Sequence, residues 1–185
     1  MKAKLAVAAF ALALIPAVAL AGQAERKDFQ VFLDVAKSVN RYAQLTVFDD
    51  ISASVDQGAV TLVGKVTMPY KRDDIAKRVA KIDGVKSVRN EIQVLPVSQF
   101  DDELRFKIAR AIYGNPSFWN YATMVNPPIH IVVDRGRVTL TGVVNSDVER
   151  ALARTLAVGW GEFAVDNQLK TDAEAAASLE KAKTE

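Results

Sequence analysis

A twelve-residue segment occurs twice in this chain, and the repetition constrains the fold more than any other feature of the sequence. Residues 55–66 read VDQGAVTLVGKV and residues 133–144 read VDRGRVTLTGVV, so the second copy begins 78 residues after the first. The apolar pattern also matches on both sides of these segments. Since self-similarity at a fixed offset is typical of a duplicated structural unit, the sequence predicts two tandem modules of one architecture.

Hydrophobic periodicity predicts the same order of elements in each module. In the first module, apolar residues at helical spacing begin at Phe29, and two alternating segments, 51–55 and 60–66, predict strands joined by a turn at Gly58. A second helical pattern follows, and a third strand is predicted over 88–94. The fold class is therefore predicted to be α+β, with the element order αββαβ in each module.

The boundaries of the modules follow from breaks in this periodicity. Proline and small polar residues interrupt it at 95–99, so we predict the first module over 28–97 and the second over 100–172. The alanine-rich, charged residues 173–185 predict a flexible tail, either as a frayed helix or without regular structure. The acids at 101–103 are expected to stabilise a helix N-terminus rather than to act in catalysis.

The N-terminal segment 1–21 has the pattern of a secretory signal peptide. Lys2 and Lys4 precede an apolar run that is about half as long as the roughly 20 residues needed to span a bilayer. We expect cleavage after Ala21, with Ala24 as the second choice; a retained anchor helix is the alternative. Since the sequence has no cysteine, it offers neither a disulfide nor a lipid attachment site, and a periplasmic protein that is not a lipoprotein is predicted.

The charge of the chain outside this segment is balanced. The formal net charge of +2 comes from Lys2 and Lys4, because 24 basic residues less these two leave 22 basic against 22 acidic residues. A nucleic-acid-binding protein normally carries a concentrated basic surface that neutralises phosphates. The balance therefore argues against nucleic acid as a partner.

Both modules carry the same arrangement of glycines and valines around the second predicted strand. In the first module it is Gly58-x-Val60-Thr61-Leu62-x-Gly64-x-Val66, followed by Gly84-Val85-x-x-Val88-x-Asn90-x-Ile92. The second module has Gly136-x-Val138-Thr139-Leu140-x-Gly142-x-Val144 and departs from the pattern at 161–165. Over residues 28–172 the chain thereby resembles a pair of BON domains, a family of bacterial envelope modules.

This resemblance implies a periplasmic protein with two BON domains. It implies that each module is a small mixed three-stranded sheet with two helices on one face. It also implies an association with envelope protection, osmotic stress and phospholipid surfaces.

Four glycines are predicted to be structural. Gly58 and Gly136 lie in the predicted turns between paired strands. Gly64 and Gly142 lie inside otherwise good strands, where glycine costs stability unless the backbone requires it. We therefore expect a bulge, a close approach of another backbone segment or tight helix packing at both positions.

The sequence has few of the residues that build catalytic or metal sites. It has no cysteine and a single histidine, His130, which alternates with Ile129 and Ile131 and is predicted to face away from them in a structural role. The acid pairs 49–50 and 73–74 are predicted to be solvated or to cap turns and helices. We predict no enzymatic activity, no metal and no cofactor; a cryptic hydrolase would need a pocket with converging titratable groups.

An aromatic insertion of about five residues distinguishes the second module from the first, within residues 113–121, YGNPSFWNY. Tyrosine and tryptophan favour membrane interfaces, and basic residues of the preceding helix would lie beside this loop. We therefore predict a peripheral lipid-contact surface, with the candidate residues Arg105, Lys107, Arg110, Tyr113, Phe118, Trp119 and Tyr121. The alternative is that Phe118, Trp119 and Tyr121 fold back over the sheet as core.

These observations together predict an exported, non-catalytic, envelope-associated binding protein. It is expected to contact phospholipid surfaces and to support envelope integrity or protection from osmotic stress. The second module is the expected contact surface, and the first is its scaffold. A periplasmic chaperone-like or protein-scaffolding module, with envelope proteins as partners, is the alternative.

Overall fold

The computed structural model describes residues 27–184, with side chains up to residue 181. The predicted signal peptide and both predicted cleavage sites lie outside the described residues. The elements of the first module are α1 (Asp28–Asn40), β1 (Asp50–Asp56), β2 (Ala59–Val66), α2 (Pro69–Val79) and β3 (Ser87–Val94). Those that follow are α3 (Gln99–Tyr113), a one-turn 3₁₀ helix (Pro116–Phe118), α4 (Trp119–Ala122), β4 (Ile129–Asp134), β5 (Arg137–Val144), α5 (Asp147–Leu156), β6 (Ala164–Asn167), β7 (Lys170–Thr171) and α6 (Asp172–Thr184).

Each module forms its own mixed sheet. In the first, β2 is central, antiparallel to β1 and parallel to β3. The second repeats this arrangement around β5, but its third strand is divided into β6 and β7, which makes four strands in place of the predicted three. A backbone hydrogen bond from Gln168 N–H to Leu140 O (2.8 Å) bridges the division. The predicted α+β class with two tandem modules is confirmed.

The helices pack on one face of each sheet through apolar residues at helical spacing. In α1, Val31, Val35 and Val39 are buried against alternate residues of β2. The second module builds its core in the same way from α3, α5, β4 and β5. That core also takes up the half-buried ring of Phe48, which belongs to the chain just before β1. The two cores are therefore separate but linked by one aromatic side chain.

The turn between the two antiparallel strands is held by an aspartate of the first helix. Gln57 and Gly58 have φ angles of +48° and +79°, as a two-residue hairpin turn requires. The carboxylate of Asp28 accepts hydrogen bonds from both of their N–H groups, at 2.5 Å and 2.8 Å. Asp101 does the same for the turn at 135–136, at 2.8 Å for each bond. The duplication thus preserves a specific polar contact, beyond the helix-dipole role predicted for Asp101.

Two strand glycines lie where the neighbouring backbone leaves no room for a side chain. Gly64 has φ +132°, and a Cβ atom there would lie 2.1 Å from the carbonyl oxygen of Asp50. Gly142 has φ +110°, and its Cβ would lie 1.8 Å from the carbonyl oxygen of Pro128. Both a left-handed backbone and close strand approach therefore require glycine at these positions.

The modules contact each other through the chain that leads into β1. The N–H of Ile131, in β4, donates to the carbonyl oxygen of Val47 (2.6 Å). The ammonium of Lys65, in β2, lies 2.6 Å from the carboxylate of Asp134. Further contacts are an edge-to-face pair of the Phe48 and Phe106 rings, with centroids 5.2 Å apart, and a hydrogen bond from Asn126 Nδ2 to Asn40 O of 2.5 Å.

Helix α6 (Asp172–Thr184) begins one residue before the predicted tail, 173–185. Thr171 and Glu174 make a reciprocal capping box, with Glu174 N–H donating to Thr171 Oγ1 and Thr171 N–H donating to Glu174 Oε2. Arg150 of α5 lies 3.0 Å from Glu174 and ties α6 to the second module. The start of the tail is therefore anchored, and its flexibility stays a prediction.

Candidate functional site

Two of the predicted lipid-contact residues instead close the outer edge of β4. Arg105 is only 4% exposed, donates to the carbonyl oxygen of Val133 (2.6 Å) and pairs with Asp102. The hydroxyl of Tyr113, which is half-buried, donates to the carbonyl oxygen of Ile129. Both carbonyls belong to the edge of β4 that faces away from β5, where the N–H of Ile131 is bonded to Val47. The prediction that Arg105 is a surface contact is therefore wrong, because its guanidinium forms its hydrogen bonds inside the protein.

Phe118 and Tyr121 are also buried, so the alternative interpretation holds for these two residues. Phe118 is 0% exposed and Tyr121 5%, and both belong to the core of the second module. The hydroxyl of Tyr121 donates to the carboxylate of Glu149 (2.6 Å) and accepts from the N–H of Asn145 (3.0 Å). Burial, and then the hydrogen bond to Glu149, raise the pKa of Tyr121 to about 12.

Three of the predicted contact residues remain on the surface. Trp119 is 60% exposed, which contradicts the alternative for this residue. Lys107 and Arg110 are exposed on α3, and the ammonium of Lys107 lies 3.8 Å from the carboxylate of Glu103. That these three side chains contact lipid stays a prediction.

A second exposed aromatic surface lies at the other end of α3. Phe100, in the first turn of that helix, is 47% exposed, and Phe163, just before β6, is 76% exposed. Their ring centroids are 6.3 Å apart. Both rings lie over Gly136 in the β4–β5 turn, where a Cβ atom would be 2.7 Å from the Phe163 ring. A large apolar surface is therefore exposed beside a turn that only glycine permits.

Arginines flank this turn on both sides. Arg135 and Arg137 are exposed, and neither guanidinium forms an ion pair with any residue that the structure describes. Trp160, which is 42% exposed, lies in the loop that leads to the same end of the sheet. We call this surface the aromatic tip; it consists of Phe100, Arg135, Arg137, Trp160 and Phe163.

The acid nearest to Phe163 in the chain is engaged by the backbone. The carboxylate of Glu162 accepts hydrogen bonds from the N–H groups of Gly159 and Trp160, at 2.8 Å each. Desolvation pushes the pKa of Glu162 upward, but these backbone hydrogen bonds outweigh it and hold the pKa below its usual range. Glu162 therefore stays charged, and its carboxylate stabilises the loop at 159–162 rather than pairing with Arg135 or Arg137.

The first module, which lies wholly within the described residues, has no aromatic tip. Phe163 N–H donates to the carbonyl oxygen of Gly136, and at the matching place Lys86 N–H donates to that of Gly58, at 2.8 Å in both cases. Lys27 precedes Asp28 just as Phe100 precedes Asp101. In the first module, Lys27 and Lys86 thus occupy the positions that Phe100 and Phe163 occupy in the second. This difference was not predicted from the sequence, although Phe163 lies within the segment that departs from the family pattern.

Of the two roles predicted for the acid pair at 49–50, solvated or capping, Asp49 has the capping role, because it is only 1% exposed and accepts from the backbone of the turn before it. Its carboxylate accepts hydrogen bonds from the N–H groups of Thr46 (2.8 Å) and Thr67 (2.7 Å) and from the ammonium of Lys71 (2.6 Å). Burial raises the pKa of Asp49, but these donors outweigh it and lower the pKa overall.

In the second acid pair, at 73–74, Asp73 pairs with Arg72 at the surface, and Asp74 accepts a hydrogen bond from the hydroxyl of Tyr42. Neither pair places two carboxylates on a common substrate position.

Within residues 27–184, no three histidine or acidic side chains lie close enough to hold a metal ion. His130 is half-buried in β4, whereas Ile129 and Ile131 are fully buried on the helix side of the sheet, as the alternation predicts. In the same part of the chain, none of the helices has the length and apolar character that crossing a membrane requires.

The comparisons with known proteins concern both modules. The model of the BON domain matches residues 28–96 and 101–177. BON domains are non-catalytic binding domains, and proteins that contain them are typically periplasmic.

Among solved structures, the chain is similar to CdsD, a structural protein of the type III secretion system of Chlamydia trachomatis. The sequence identity is 14%, with 80% of this chain and 97% of that chain covered and a TM-score of 0.29. A structure of the C-terminal domain of CdsD gives 14% identity, 74% and 96% coverage and a TM-score of 0.25. No curated protein matches the chain.

Proposed function

Because this chain belongs to the BON domain family, we propose that it is an exported, non-catalytic binding protein of the bacterial envelope that contacts phospholipid surfaces. The observation that carries the proposal is the aromatic tip, where two exposed phenylalanines lie beside two arginines. Support for envelope integrity or protection from osmotic stress would follow from such a contact. The second module makes the contact, and the first serves as its scaffold.

The phenylalanines of the tip supply the apolar part of the binding energy. Full burial of a phenylalanine side chain contributes about 1.5–3 kcal/mol. Since Phe163 is 76% and Phe100 47% exposed, insertion of both rings into the acyl region contributes about 2–4 kcal/mol. Trp160 adds apolar surface at the interface, and its indole N–H is already satisfied by the carbonyl oxygen of Leu156 (2.8 Å).

The arginines supply the electrostatic part. A cationic side chain near an anionic membrane surface contributes about 1 kcal/mol, so Arg135 and Arg137 together contribute about 2 kcal/mol. Guanidinium groups also form paired hydrogen bonds with phosphate oxygens. The sum, about 5 kcal/mol, corresponds to a weak and reversible association with a dissociation constant of about 0.2 mM. Salt should weaken it, because surface charges are screened.

A vesicle flotation experiment compares two double variants. Phe100→Ser with Phe163→Ser removes the rings of the tip, and Trp119→Ala with Arg110→Ala removes part of the predicted loop surface. The two sites lie at opposite ends of α3, whose 15 residues span about 22 Å. We expect binding to phosphatidylglycerol vesicles to fall at least about thirtyfold in the tip variant and to persist in the loop variant.

Three outcomes would contradict this proposal. Absence of wild-type binding at low salt would exclude the phospholipid function. Loss of binding only in the loop variant would move the contact to the predicted surface near Trp119. Equal binding to phosphatidylcholine vesicles would exclude the role of the arginines. Far-UV circular dichroism of both variants verifies that they remain folded.

A chaperone-like or protein-scaffolding function is the second candidate, because exposed phenylalanines also bind apolar segments of unfolded proteins. It predicts that the protein suppresses the aggregation of a denatured periplasmic protein without binding vesicles. Phe163→Ser should reduce that suppression. Vesicle binding without any effect on aggregation would exclude this second candidate.

A further inference from the structure

A cleft of about 500 Å³ opens between the two modules, away from the aromatic tip. One wall is formed by the chain that leads from α1 into β1, including Leu45 and Val47. The other wall is formed by residues 125–128, between α4 and β4, and His130 borders it. The tip lies at the turn end of the β4–β5 hairpin, whereas this cleft lies at the open end, about 20 Å away for strands of this length.

The walls of the cleft are mainly apolar and carry no charge. Leu45, Val47, Val125 and two prolines provide most of the surface, and no lysine, arginine, aspartate or glutamate among the described residues lines it. Its polar side chains are amides, one hydroxyl and the imidazole of His130. A ligand that carries a charge would lose water here without gaining a counter-charge, which is costly. The chemistry of the walls therefore favours an uncharged ligand.

His130 has hydrogen-bonding capacity that the protein does not use. Its Nδ1 atom is buried without a hydrogen-bond partner among the described residues, and so is Oγ1 of Thr141, which lies directly opposite it in β5. Buried polar atoms without partners are rare in folded proteins because each costs free energy. Because these two atoms are not accessible from the cleft, a polar ligand group would bond to the other ring nitrogen of His130, Nε2, which also has no hydrogen-bond partner among the described residues.

The wall at residues 125–128 is fixed in place before any ligand arrives. Pro127 and Pro128 restrict the backbone, and the side-chain amide of Asn126 donates to the carbonyl oxygen of Asn40 in the first module (2.5 Å). Preformed walls reduce the entropy lost on binding. Val125, by contrast, is 97% exposed, so its side chain is available to cover a ligand.

We propose that this cleft is a binding site for an uncharged amphiphile, with an apolar body of drug-like size and one hydroxyl or amide group. The body packs on Leu45, Val47 and the prolines, and the polar group bonds to His130. The volume is within the range of about 300–1,000 Å³ found for small-molecule sites, and such sites often lie between domains. Since the cleft is built by both modules, a bound ligand also holds them together.

The test is a titration with N-phenylnaphthylamine, an uncharged fluorophore with one N–H donor that brightens in apolar surroundings. Asn40→Trp places an indole at the cleft from an exposed position, and Val97→Trp is the matched control, because Val97 is fully exposed in the linker. We expect saturable binding of one probe per wild-type chain. Asn40→Trp should raise the dissociation constant at least about tenfold, and Val97→Trp should leave it within about twofold.

Two further measurements identify the ligand chemistry and provide a variant that is expected to remain folded. Val125→Asp adds a charge at a residue whose side chain is solvent-exposed, so it should keep the fold and still weaken the probe at least about fivefold. Decanol should displace the probe, whereas decanoate, charged at about pH 8, should require at least about tenfold more. The Phe100→Ser, Phe163→Ser variant should bind the probe like the wild type, which separates this site from the proposed phospholipid contact.

Each contrary result overturns the proposal. The site is excluded if the probe does not saturate, if Asn40→Trp and Val125→Asp both bind it like the wild type, or if decanoate competes as well as decanol. Loss of probe binding in the Phe100→Ser, Phe163→Ser variant would assign the fluorescence to the aromatic tip and not to the cleft.

Discussion

Replacing Asp49 by asparagine tests what holds the first module together. The substitution keeps the shape of the side chain but removes its charge and turns one acceptor oxygen into a donor. The carboxylate accepts hydrogen bonds from Thr46, Thr67 and Lys71, and Lys71 is itself 3% exposed. The variant therefore leaves a buried ammonium without a counter-charge and makes an amide N–H face other donors.

The expected loss of stability follows from this geometry. Removing one partner of a buried ion pair costs about 3–5 kcal/mol, because the other charge stays buried and uncompensated. With an m-value of about 1 kcal/mol per M of urea for a module of this size, the midpoint of unfolding should fall by about 3–5 M. Asp50→Asn is the matched control: Asp50 is half-buried, with no side-chain hydrogen bond or ion pair among the described residues, so it should change stability by less than about 0.5 kcal/mol.

The assay follows each module separately. Both tryptophans, Trp119 and Trp160, lie in the second module, so their fluorescence reports its unfolding, whereas far-UV circular dichroism reports both modules. Asp49→Asn should produce an early transition in the dichroism signal. Equal unfolding midpoints for Asp49→Asn and Asp50→Asn would refute the reasoning, because they would show that the buried pair contributes no net stability.

The same carboxylate predicts a pH dependence. The pKa of Asp49 is lower in the folded protein than in the unfolded chain, so its ionised form stabilises the fold above the unfolded pKa of about 3.9. This contribution is lost as the pH falls through the folded pKa. The wild-type protein should therefore lose more stability on acidification than Asp49→Asn does, and parallel pH profiles would contradict this.

Two further substitutions test the second module by urea unfolding monitored through tryptophan fluorescence. Gly142→Ala should lower the free energy of unfolding by more than about 3 kcal/mol, because its Cβ would lie 1.8 Å from the carbonyl oxygen of Pro128. Gly159→Ala is the control: at φ +96° with open space around it, it should cost only about 1–2 kcal/mol, and equal losses would exclude the steric explanation. Tyr121→Phe should cost about 1–2 kcal/mol through its hydrogen bond to Glu149, and an unchanged midpoint would show that this buried bond contributes nothing.

The architecture could be predicted from the sequence because it depends on local patterns. Helical and strand periods, the turn residues and the duplication were sufficient for the order of elements, and the family match confirms the two modules. Helix α6 was only partly foreseen, although Thr171-x-x-Glu174 is a capping-box pattern. The division between β6 and β7 depends on pairing with β5 and had no sequence signal that we can identify.

The surface of the second module was harder to predict, because burial on a helix flank depends on what lies beside it. Arg105 looked like an exposed cation near Lys107 and Arg110, yet it lies next to the edge of β4 and satisfies a backbone carbonyl there. The spacing of Phe118 and Tyr121, three residues apart, did contain the information that they share a face. Trp119 between them points away from that face, which explains why it alone of these three is exposed.

The aromatic tip combines residues from distant parts of the sequence. Phe100 and Phe163 are 63 positions apart, and only the register of β5 with β6 brings Phe163 next to Gly136. Aligning the two modules on their third strands, which puts Ser87 opposite Ala164, would have placed Phe163 opposite Lys86 and revealed the change from lysine to phenylalanine. Differences between duplicated modules at matched positions therefore indicate function better than the composition of a single loop.

One structural position shows how the copies diverged. At the end of β2, the N–H of Thr67 donates to Asp49, whose carboxylate comes from the chain before β1. At the end of β5, the matching N–H of Asn145 donates to Glu149, whose carboxylate comes from α5 and is also bonded to Tyr121 of the insertion. Both modules thus keep a carboxylate acceptor for the same N–H, but they supply it from different elements, and only Asp49 is fully buried.

This exchange of roles has a consequence for the cleft. Position 127 is the counterpart of Asp49 at the repeat offset, and it is a proline. Because the insertion and α5 supply the acceptor in the second module, the chain before β4 no longer needs an acid at that position. This segment has two adjacent prolines instead, Pro127 and Pro128, and these form a rigid apolar wall that faces the first module. The insertion that was predicted to contact lipid through its aromatic residues therefore has a different structural effect: it buries Tyr121 and releases residues 125–128 to build the cleft.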